Sequence, residues 1–303
     1  MPKLHRKRSL LAKIESSYGT DPTPTGSSNY VEVVDLEVEP LASDEVEIET
    51  IRPYPGNYPR LLANTRVNLS FGVYMVGSGS AGTAPKYDPI LKACGLSANT
   101  VSSTSVTYTP STLASQDSCT FFINYDGVRH KITGARGTFS IVCNINEIPR
   151  INFEMQGIFS TPTDTALPTV TKSLQPDPVL FKNGNTSSFS IFGFSAALQS
   201  WELDFANEVI YRELVGGTKE ALITDRRPSG TMVVEAVALS DKNFFTTATG
   251  TSTGSNTWVH SGGAGNIVTV SCPQTDLGQP TYEESDGITM LNLLIAILVD
   301  VVI

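Results

Sequence analysis

The sequence is poor in the residues on which catalytic and metal sites are most often built. It holds three histidines and four cysteines in 303 residues, and no two cysteines form a C-x-x-C pair. Neither a zinc-ligand spacing nor a G-x-S-x-G, P-loop or H-E-x-x-H motif occurs. We therefore expect no enzyme activity, no metal and no cofactor, and we expect the cysteines to be reduced and mostly buried.

Charged residues are also scarce, and basic ones are outnumbered. They make up 17% of the chain, with 21 Lys and Arg against 30 Asp and Glu, which gives a formal net charge of −9. Affinity for nucleic acid comes mainly from Lys and Arg contacts to phosphate, so the chain is a poor candidate for gripping DNA or RNA. Thr, Ser, Val, Gly and Asn are abundant, as is typical of β-rich proteins with many loops.

No apolar run is long enough to predict a membrane span or a secretory signal. The basic N-terminus is followed only by Leu10-Leu11-Ala12 before Lys13, and the apolar residues 288–303 are interrupted by Asn292 and Asp300. The second run is also shorter than the ~20 residues that cross a bilayer. We expect a buried strand or packed tail at the C-terminus, no membrane insertion, and synthesis in the cytoplasm.

Alternation of apolar and polar residues predicts β-strands through most of the chain. It is strictest in two acidic strands, residues 34–39 and 45–49, with a turn between them at 40–44. Positions 31 to 50 contain eight acidic and no basic residues. One short helix is predicted over residues 87–95, with Asp88 as its cap. Further strand patterns lie at residues 66–75, 105–108, 119–125, 138–143 and 151–159.

Composition divides the chain into four segments. Residues 1–30 begin with basic residues and end in a run of Gly, Thr, Asp and Pro, which predicts an N-terminal arm with almost no core-forming sequence. Such an arm would become ordered only against a neighbour. Residues 31–160 form a first β-domain, the Pro-rich residues 161–179 a linker, and residues 180–303 a second β-domain.

The second β-domain repeats features of the first in nearly the same order, which we interpret as a divergent duplication. The alternative is that two β-rich halves merely share alternation. The matched features are residues 35–39 with 200–204, Val46 with Val209, 69–73 with 233–237, the short helix with 240–245, Gly134-Ala135 with Gly263-Ala264, and Cys143 with Cys272.

Several segments carry a resemblance to a known family. They are residues 6–24, Val34-Asp35-Leu36 with the acidic strands after it, residues 79–85, 91–95 and 131–137, and the weaker match 279–282. As a set they resemble the tail tube proteins, or major tail proteins, of long non-contractile-tailed bacteriophages of the Pseudomonas siphophage type. The apolar residues 294–303 depart from the polar ending that the resemblance implies.

The resemblance implies a mainly β fold with two tandem tail-tube-type units. Each unit would be a β-sandwich or half-barrel with a short flanking helix, and the units would assemble into a closed, multi-stranded ring. Rings would stack into a hollow tube in the virion tail, with an acidic lumen that conducts the DNA genome during ejection without specific binding. Other tail proteins, such as the tape measure and the terminator, would be further partners.

The resemblance also bears on the number of chains in a ring. Tubes of this family are commonly sixfold, so two tandem units in one chain predict a trimer with pseudo-sixfold symmetry. The alternative is a hexamer in which residues 180–303 decorate the outside. The competing function is a β-sandwich binding module or capsid decoration protein with an aromatic-lined cleft, although Trp201 and Trp258, the only tryptophans, are not clustered in the sequence.

Two sets of residues receive candidate roles. Acidic alternation in both domains predicts lumen-facing side chains, and basic residues in the arm predict contact with the acidic surface of an adjacent ring. The lumen candidates are Asp35, Glu37, Glu39, Glu45, Glu47, Glu49, Glu202 and Asp204. The arm candidates are Arg6, Lys7, Arg8 and Lys13.

Overall fold

A computed structural model describes residues 3–172, 175–298 and 301–303, and these residues are mainly β. The strands up to residue 172, here the N-terminal half, are β1 (Arg8–Ile14), β2 (Tyr30–Val31), β3 (Val34–Glu47), β4 (Arg60–Tyr74), β5 (Leu96–Val101), β6 (Ser105–Pro110), β7 (Cys119–Tyr125), β8 (Val128–Asn144), β9 (Arg150–Phe159) and β10 (Thr163–Asp164).

The strands from residue 175 onward form the C-terminal half. They are β11 (Thr186–Ile191), β12 (Leu198–Asp204), β13 (Asn207–Arg212), β14 (Glu220–Arg226), β15 (Ser229–Glu235), β16 (Gly254–Ser261), β17 (Ile267–Leu277), β18 (Thr281–Ser285) and β19 (Ile288–Ile297). Each half carries one six-residue helix, α1 (Asp88–Ala93) and α2 (Phe244–Thr249). Within the described ranges, no helix is long and apolar enough to span a membrane.

Fifteen strands belong to one antiparallel sheet. In the N-terminal half the strands pair in the order β1-β7-β8-β9-β4-β3, and in the C-terminal half in the order β11-β16-β17-β19-β15-β12. The halves meet where β12 pairs with the end of β8. The sheet does not close on itself within the chain, because in the described residues no strand pairs with the outer edge of β3 or of β18.

The core lies on one face of this sheet and runs through both halves. Phe71 stacks on Phe153 with ring centroids 5.4 Å apart, and Trp201 meets Trp258 edge to face at 5.2 Å. Where the halves meet, the ring of Phe139 in β8 stacks on that of Phe205, which follows β12, at 4.5 Å. All four cysteines are buried and free, in agreement with the prediction.

The N-terminal segment is ordered against its own chain, contrary to the prediction from composition. β1 pairs with β7 along its whole length, and the residues Leu10 to Ala12 are buried. The Glu15 carboxylate is also buried and accepts hydrogen bonds from the Thr120 hydroxyl at 2.5 Å and the Gly134 N–H at 2.7 Å. Four apolar residues among the basic ones are therefore enough to make a sheet strand, which the breaker-rich composition concealed.

Two local predictions need correction. β3 runs through the predicted turn at 40–44 as one strand with register shifts against β4, because bulges absorb the extra residues there. Asp88 does not cap α1 through its side chain. It pairs instead with the Lys92 ammonium at 3.0 Å and accepts a hydrogen bond from the Tyr108 hydroxyl at 2.8 Å. Gly95, with a φ of +80°, follows the helix as predicted.

The proposed match between the two Gly-Ala pairs is also wrong. Gly134 lies inside β8, whereas Gly263 lies in the turn between β16 and β17, so the two glycines have different structural settings. At the C-terminus the prediction of a packed tail is confirmed, because Val301 is buried and Val302 bridges to β17. Of the predicted linker 161–179, residues 173 and 174 lie outside the described ranges, and Thr163 and Asp164 pair with β8.

Candidate functional site: the open face of the sheet

One face of the large sheet lies over the core, and the opposite face is open. Side chains of residues paired across neighbouring strands point to the same face, so the pairing register assigns each residue to a face. Along β9, for example, Phe153 and Met155 are buried while Glu154 between them is exposed. Alternation in the sequence thus separates a buried apolar face from a polar one.

The open face is defined by these registers and extends across both halves. In the N-terminal half, Glu154 of β9 lies opposite Thr138 of β8. At the junction, Glu202 of β12 lies opposite Val142 of β8. Its residues include Glu37, Glu39, Arg66, Asn68, Ser70, Arg136, Thr138, Ser140, Val142, Asn144, Arg150, Asn152, Glu154, Gln156, Ser200, Glu202, Asp204, Ser229, Thr231, Val233, Glu235, Asp276, Glu283, Asn292, Leu294 and Ala296.

The charge of the open face is dominated by carboxylates. Two of its arginines are paired with acids: Arg150 contacts Asp35 at 2.8 Å and Arg66 contacts Asp44 at 3.5 Å. A third, Arg136, is buried and donates to the Gln116 and Ala221 carbonyls. The acids of the open face that form no ion pair in the described part of the chain include Glu37, Glu39, Glu154, Glu202, Asp204, Glu235, Asp276 and Glu283. An anionic ligand would therefore meet uncompensated negative charge here.

The open face is grooved along the line where the halves join. Two grooves, with volumes of about 730 and 650 Å³, lie side by side and share Thr138, Glu154 and Asn207 as lining residues. One is lined further by Glu202 and the other by Glu37. The carboxylates of the two halves therefore belong to one continuous depression.

The structure brings together half of the predicted lumen residues. Glu37, Glu39, Glu202 and Asp204 share the open face, whereas Asp35 is engaged by Arg150 at the edge of the sheet. The remaining predicted acids lie away from this face, toward the far end of the β3–β4 hairpin. There Glu45 and Glu47 both contact Arg60, at 2.5 and 3.1 Å, and Glu49 is exposed in the loop that follows.

Sequence reasoning missed several acids of the open face, among them Glu154 and Asp276. The signal for Glu154 was present, since residues 152–156 alternate polar and apolar in the same way as the acidic strands. Asp276 stands in a segment that lacks strict alternation. Only the pairing of Asp276 with Ala296, and of Ala296 with Ser229, places it on the open face.

The predicted arm residues are held mainly by contacts within the chain. Lys7 pairs with Asp126 at 3.6 Å, the Arg8 guanidinium donates to the Leu36 carbonyl at 3.0 Å, and the Lys13 ammonium donates to the Pro22 carbonyl at 2.8 Å. Arg6 lies at the exposed start of this segment. Three of the four basic side chains thus fix the N-terminal segment to its own chain.

Among the described residues, no cluster of three or more His, Cys, Asp or Glu side chains could hold a metal ion. No curated protein matches the chain. The model of a family described as "Phage tail tube protein" matches residues 6–296, nearly the whole sequence. With its mainly β fold, the chain belongs to the phage tail tube protein family and is a structural component of the virion tail.

Proposed function

We propose that three copies of the chain close into a ring with the open face lining its lumen, and that stacked rings conduct DNA out of the virion. Each chain supplies two of six similar positions, one from residues 31–160 and one from residues 180–303. The observation that carries the proposal is the single acidic open face that spans both halves. The role is structural, without catalysis or a cofactor.

Strand register supports the view that the halves are two copies of one unit. The order of the strands is the same in both, and so is the residue-by-residue alignment of four neighbouring strands. One row of paired residues is Val38, Leu69, Met155 and Gly137, across β3, β4, β9 and β8. The equivalent row is Leu203, Gly230, Ile295 and Leu277, across β12, β15, β19 and β17.

A shared irregularity supports the same view. Between β7 and β8 the register shifts after the pair Cys119 and Ala135, and between β16 and β17 it shifts after Gly254 and Thr275. In both hairpins the second strand has one extra residue. The shift lies at the same place in each, because Ala135 and Thr275 each stand two residues before the equivalent residues Gly137 and Leu277. Two halves that merely share alternation have no reason to share a bulge, because bulges follow the particular chain rather than the pattern.

The distribution of bulk favours the open face as the inner surface of a ring. Helix α1 packs against β1, β7 and β8, and the buried residues of the helix join the core. These added layers need space outside a ring. The open face is covered only in part, where the β13–β14 hairpin contacts β8, β9 and β4 and buries Arg136. Closure of the sheet between copies would also remove the exposed edges of β3 and β18, which otherwise invite aggregation.

An acidic lumen suits the passage of DNA. Duplex DNA carries one phosphate charge per ~1.7 Å of its axis, and proteins hold it mainly through Lys and Arg. The unpaired carboxylates of the open face repel these phosphates. Arg66 and Arg150 are paired with acids, and Arg136 is buried against backbone carbonyls. DNA can therefore slide along the lumen without a specific contact that would stop it.

The proposal also covers the contacts of the tube beyond one ring. The basic N-terminal segment, with Arg6, Lys7, Arg8 and Lys13, would face acidic surface on an adjacent ring, and Arg6 is the side chain most free to do so. Other tail proteins, such as a tape measure and a terminator, would be further partners of the tube.

Charge reversal tests the role of the lumen. Virions that carry the double variant Glu154→Lys and Glu202→Lys should form tails but retain DNA, because each ring would present six lysines to the phosphates. The control is Asp241→Lys, an exposed acid near α2 on the opposite side of the sheet. Normal ejection by the double variant, measured as DNA released per virion, would contradict an acidic conducting surface.

A further inference from the structure

Resting on the proposed ring, we infer how neighbouring copies join: a β-hairpin of one copy docks on the C-terminal half of the next, and β3 pairs there with β18 in a defined register. The hairpin is the far end of β3–β4, residues 42–47 and 60–66, here called the outer hairpin. Its counterpart within the chain, β13–β14, is called the inner hairpin. The inner hairpin shows the docking that we infer for the outer one.

The inner hairpin is held tightly by the N-terminal half. The Ala221 carbonyl accepts a hydrogen bond from the Arg136 guanidinium at 2.7 Å, and the Ala221 N–H donates to the Tyr18 hydroxyl at 2.7 Å. Ile223 exchanges two hydrogen bonds with the Gln116 side-chain amide, at 2.7 and 3.0 Å. Ala221 and Ile223 are almost fully buried, at 0% and 2% exposure.

The outer hairpin has the same register as the inner one. Asn207 pairs with Arg226 in the inner hairpin, and Ala42 pairs with Arg66 in the outer one. After a register shift in each, four consecutive pairs correspond. The inner pairs are Val209–Ile223, Ile210–Leu222, Tyr211–Ala221 and Arg212–Glu220. The outer pairs are Asp44–Ala63, Glu45–Leu62, Val46–Leu61 and Glu47–Arg60.

The two hairpins differ in the solvent exposure of their equivalent residues. Leu61 stands where the fully buried Ala221 stands, yet 58% of Leu61 is exposed. Val46 stands where Tyr211 stands, so its sequence match with Val209 is wrong by two residues, and 53% of Val46 is exposed. A leucine and a valine at the docking positions of a hairpin are suited to burial, and no part of the described chain covers them.

The surface that would receive the outer hairpin is found from the same registers. The inner hairpin begins against β8, where the Asn207 amide donates to the Gly137 carbonyl at 2.9 Å. Leu277 occupies the place of Gly137 in the C-terminal half. Beside it, on the adjacent strand β19 and just beyond, Leu294 and Leu298 are about half exposed. Two exposed leucines therefore lie near the place where Leu61 and Val46 of the outer hairpin would dock.

The junction between β12 and β8 fixes the register of the strands between copies. Within the chain, Glu202 lies opposite Val142. Glu37 in β3 is the equivalent of Glu202 in β12, since each directly precedes an equivalent residue, Val38 or Leu203. Glu283 is the equivalent of Val142, because Met290 in β19 is the equivalent of Arg150 in β9, and Glu283 pairs with Met290 as Val142 pairs with Arg150. The inferred register thus sets Glu37 of one copy opposite Glu283 of the next.

A second copy is the occupant that fits both features at once. β3 is the edge strand of the N-terminal half and β18 is an edge strand of the C-terminal half, and both edges are unpaired in the described residues. Pairing of β3 with β18 therefore joins two different copies of the chain. Each copy carries one donor hairpin and one receiving surface, which makes the contact head-to-tail. Head-to-tail contacts that close produce rings.

Cysteine cross-linking tests the register. The double variant Glu37→Cys with Glu283→Cys should form disulfide-linked chains in assembled tubes, because directly opposed residues have Cβ atoms ~4.5–5.5 Å apart, near disulfide geometry. The control pair Glu37→Cys with Glu284→Cys places the second thiol on the other face. The four native cysteines are buried and contribute little background. Non-reducing gels should show a ladder only for the first pair.

The ladder separates this inference from the count of chains per ring. A ladder that ends at three chains supports both, and one that ends at six supports the interface while contradicting the three-chain ring. Absence of links in intact tubes, or links only for the control pair, would overturn the register. For the hairpin, Leu61→Asp should abolish tubes and leave folded chains, whereas Val215→Asp, at a fully exposed position in the inner hairpin loop, should assemble. Normal tubes from Leu61→Asp would refute the docking.

Discussion

The outer and inner hairpins share one register and have opposite surroundings. In the inner hairpin the docking position is Ala221, which fits beneath Tyr18 and Arg136 of the same chain. In the outer hairpin the same position is Leu61, which is exposed. The same hairpin register therefore occurs in a buried and in an exposed setting. At one position, a small side chain (Ala221) packs within the chain, and a larger apolar one (Leu61) is available to a neighbouring copy.

The base of each hairpin gives the largest expected difference in stability. Phe205 is fully buried between the ring of Phe139 and the guanidinium of Arg226, each 4.5 Å from its ring centre, whereas Pro40 at the equivalent place is exposed. Phe205→Ala should lower the free energy of unfolding by about 3–5 kcal/mol. Pro40→Ala should change it by less than about 0.5 kcal/mol. Urea unfolding of unassembled chains measures both, and equal effects would contradict the comparison.

Two arginines at equivalent positions give the next difference. Arg226 donates to the Gly95 carbonyl and to the Asn207 amide oxygen, both at 3.0 Å, whereas Arg66 donates to the Asn64 carbonyl at 3.2 Å and contacts the exposed Asp44 at 3.5 Å. Arg226→Ala leaves buried acceptors without donors and should cost about 2–3 kcal/mol of unfolding free energy. Arg66→Ala should cost less than about 1 kcal/mol. A larger loss of unfolding free energy for Arg66→Ala than for Arg226→Ala in unassembled chains would show that the outer hairpin is already packed against its own chain.

Tyr18 adds a smaller effect with a pH signature. Burial raises the pKa of the Tyr18 hydroxyl to about 12, so folding favours the neutral form. The stability from this group is complete below its ordinary pKa of about 10 and is lost as the pH rises through 12. Tyr18→Phe removes the hydrogen bond to Ala221 and should cost about 1 kcal/mol at pH 7.

The same variant should show a shallower loss of stability between pH 10 and 12, measured by urea unfolding across that range. The residual slope comes from Tyr87 and Tyr108, whose pKa values burial also raises. Tyr54→Phe, in the exposed loop of the outer hairpin, is the matched control and should behave as the unmodified chain does. Identical pH profiles for Tyr18→Phe and the unmodified chain would show that Tyr18 does not report on the inner hairpin.

The smallest effect concerns the inferred junction between copies. Within the chain Glu202 faces the neutral Val142, but between copies Glu37 would face Glu283. Like charges directly opposite each other weaken strand pairing by roughly 0.2–1 kcal/mol. Glu283→Gln should therefore lower the concentration at which tubes form, by a factor that shrinks as salt is added. Asp241→Asn, near α2, should leave that concentration unchanged, and equal shifts would argue against the register.

Local patterns in the sequence predicted the strands of the N-terminal half well. The pattern at 119–125 became β7, because a short apolar run rich in aromatic residues ends there at the turn Asp126-Gly127. The pattern at 151–159 lies within β9, where polar and apolar residues alternate through 151–156. β1 was missed because its short apolar run stands among basic residues. The joining of the halves could not be foreseen, since the pairing of β12 with β8 depends on a contact between distant segments.

The candidate site was predicted in part for the same reason. Glu37 and Glu202 stood out because acidic residues alternate with apolar ones around them. Glu45 and Glu47 have the same alternation, but they lie on the outer hairpin, beyond the bulges that follow Pro40. Alternation predicts which residues share a face of a strand. It does not predict where along the strand a bulge takes that strand away from the open face of the sheet.

The central claim is that both halves occupy equivalent places around one acidic lumen. Cryo-electron microscopy of assembled tubes tests it most directly, through the number of chains per ring and the side of the wall on which each half lies. The account predicts three chains per ring, with Glu37 and Glu202 both facing the lumen. Six chains per ring, with residues 180–303 on the outside of the wall, would contradict it.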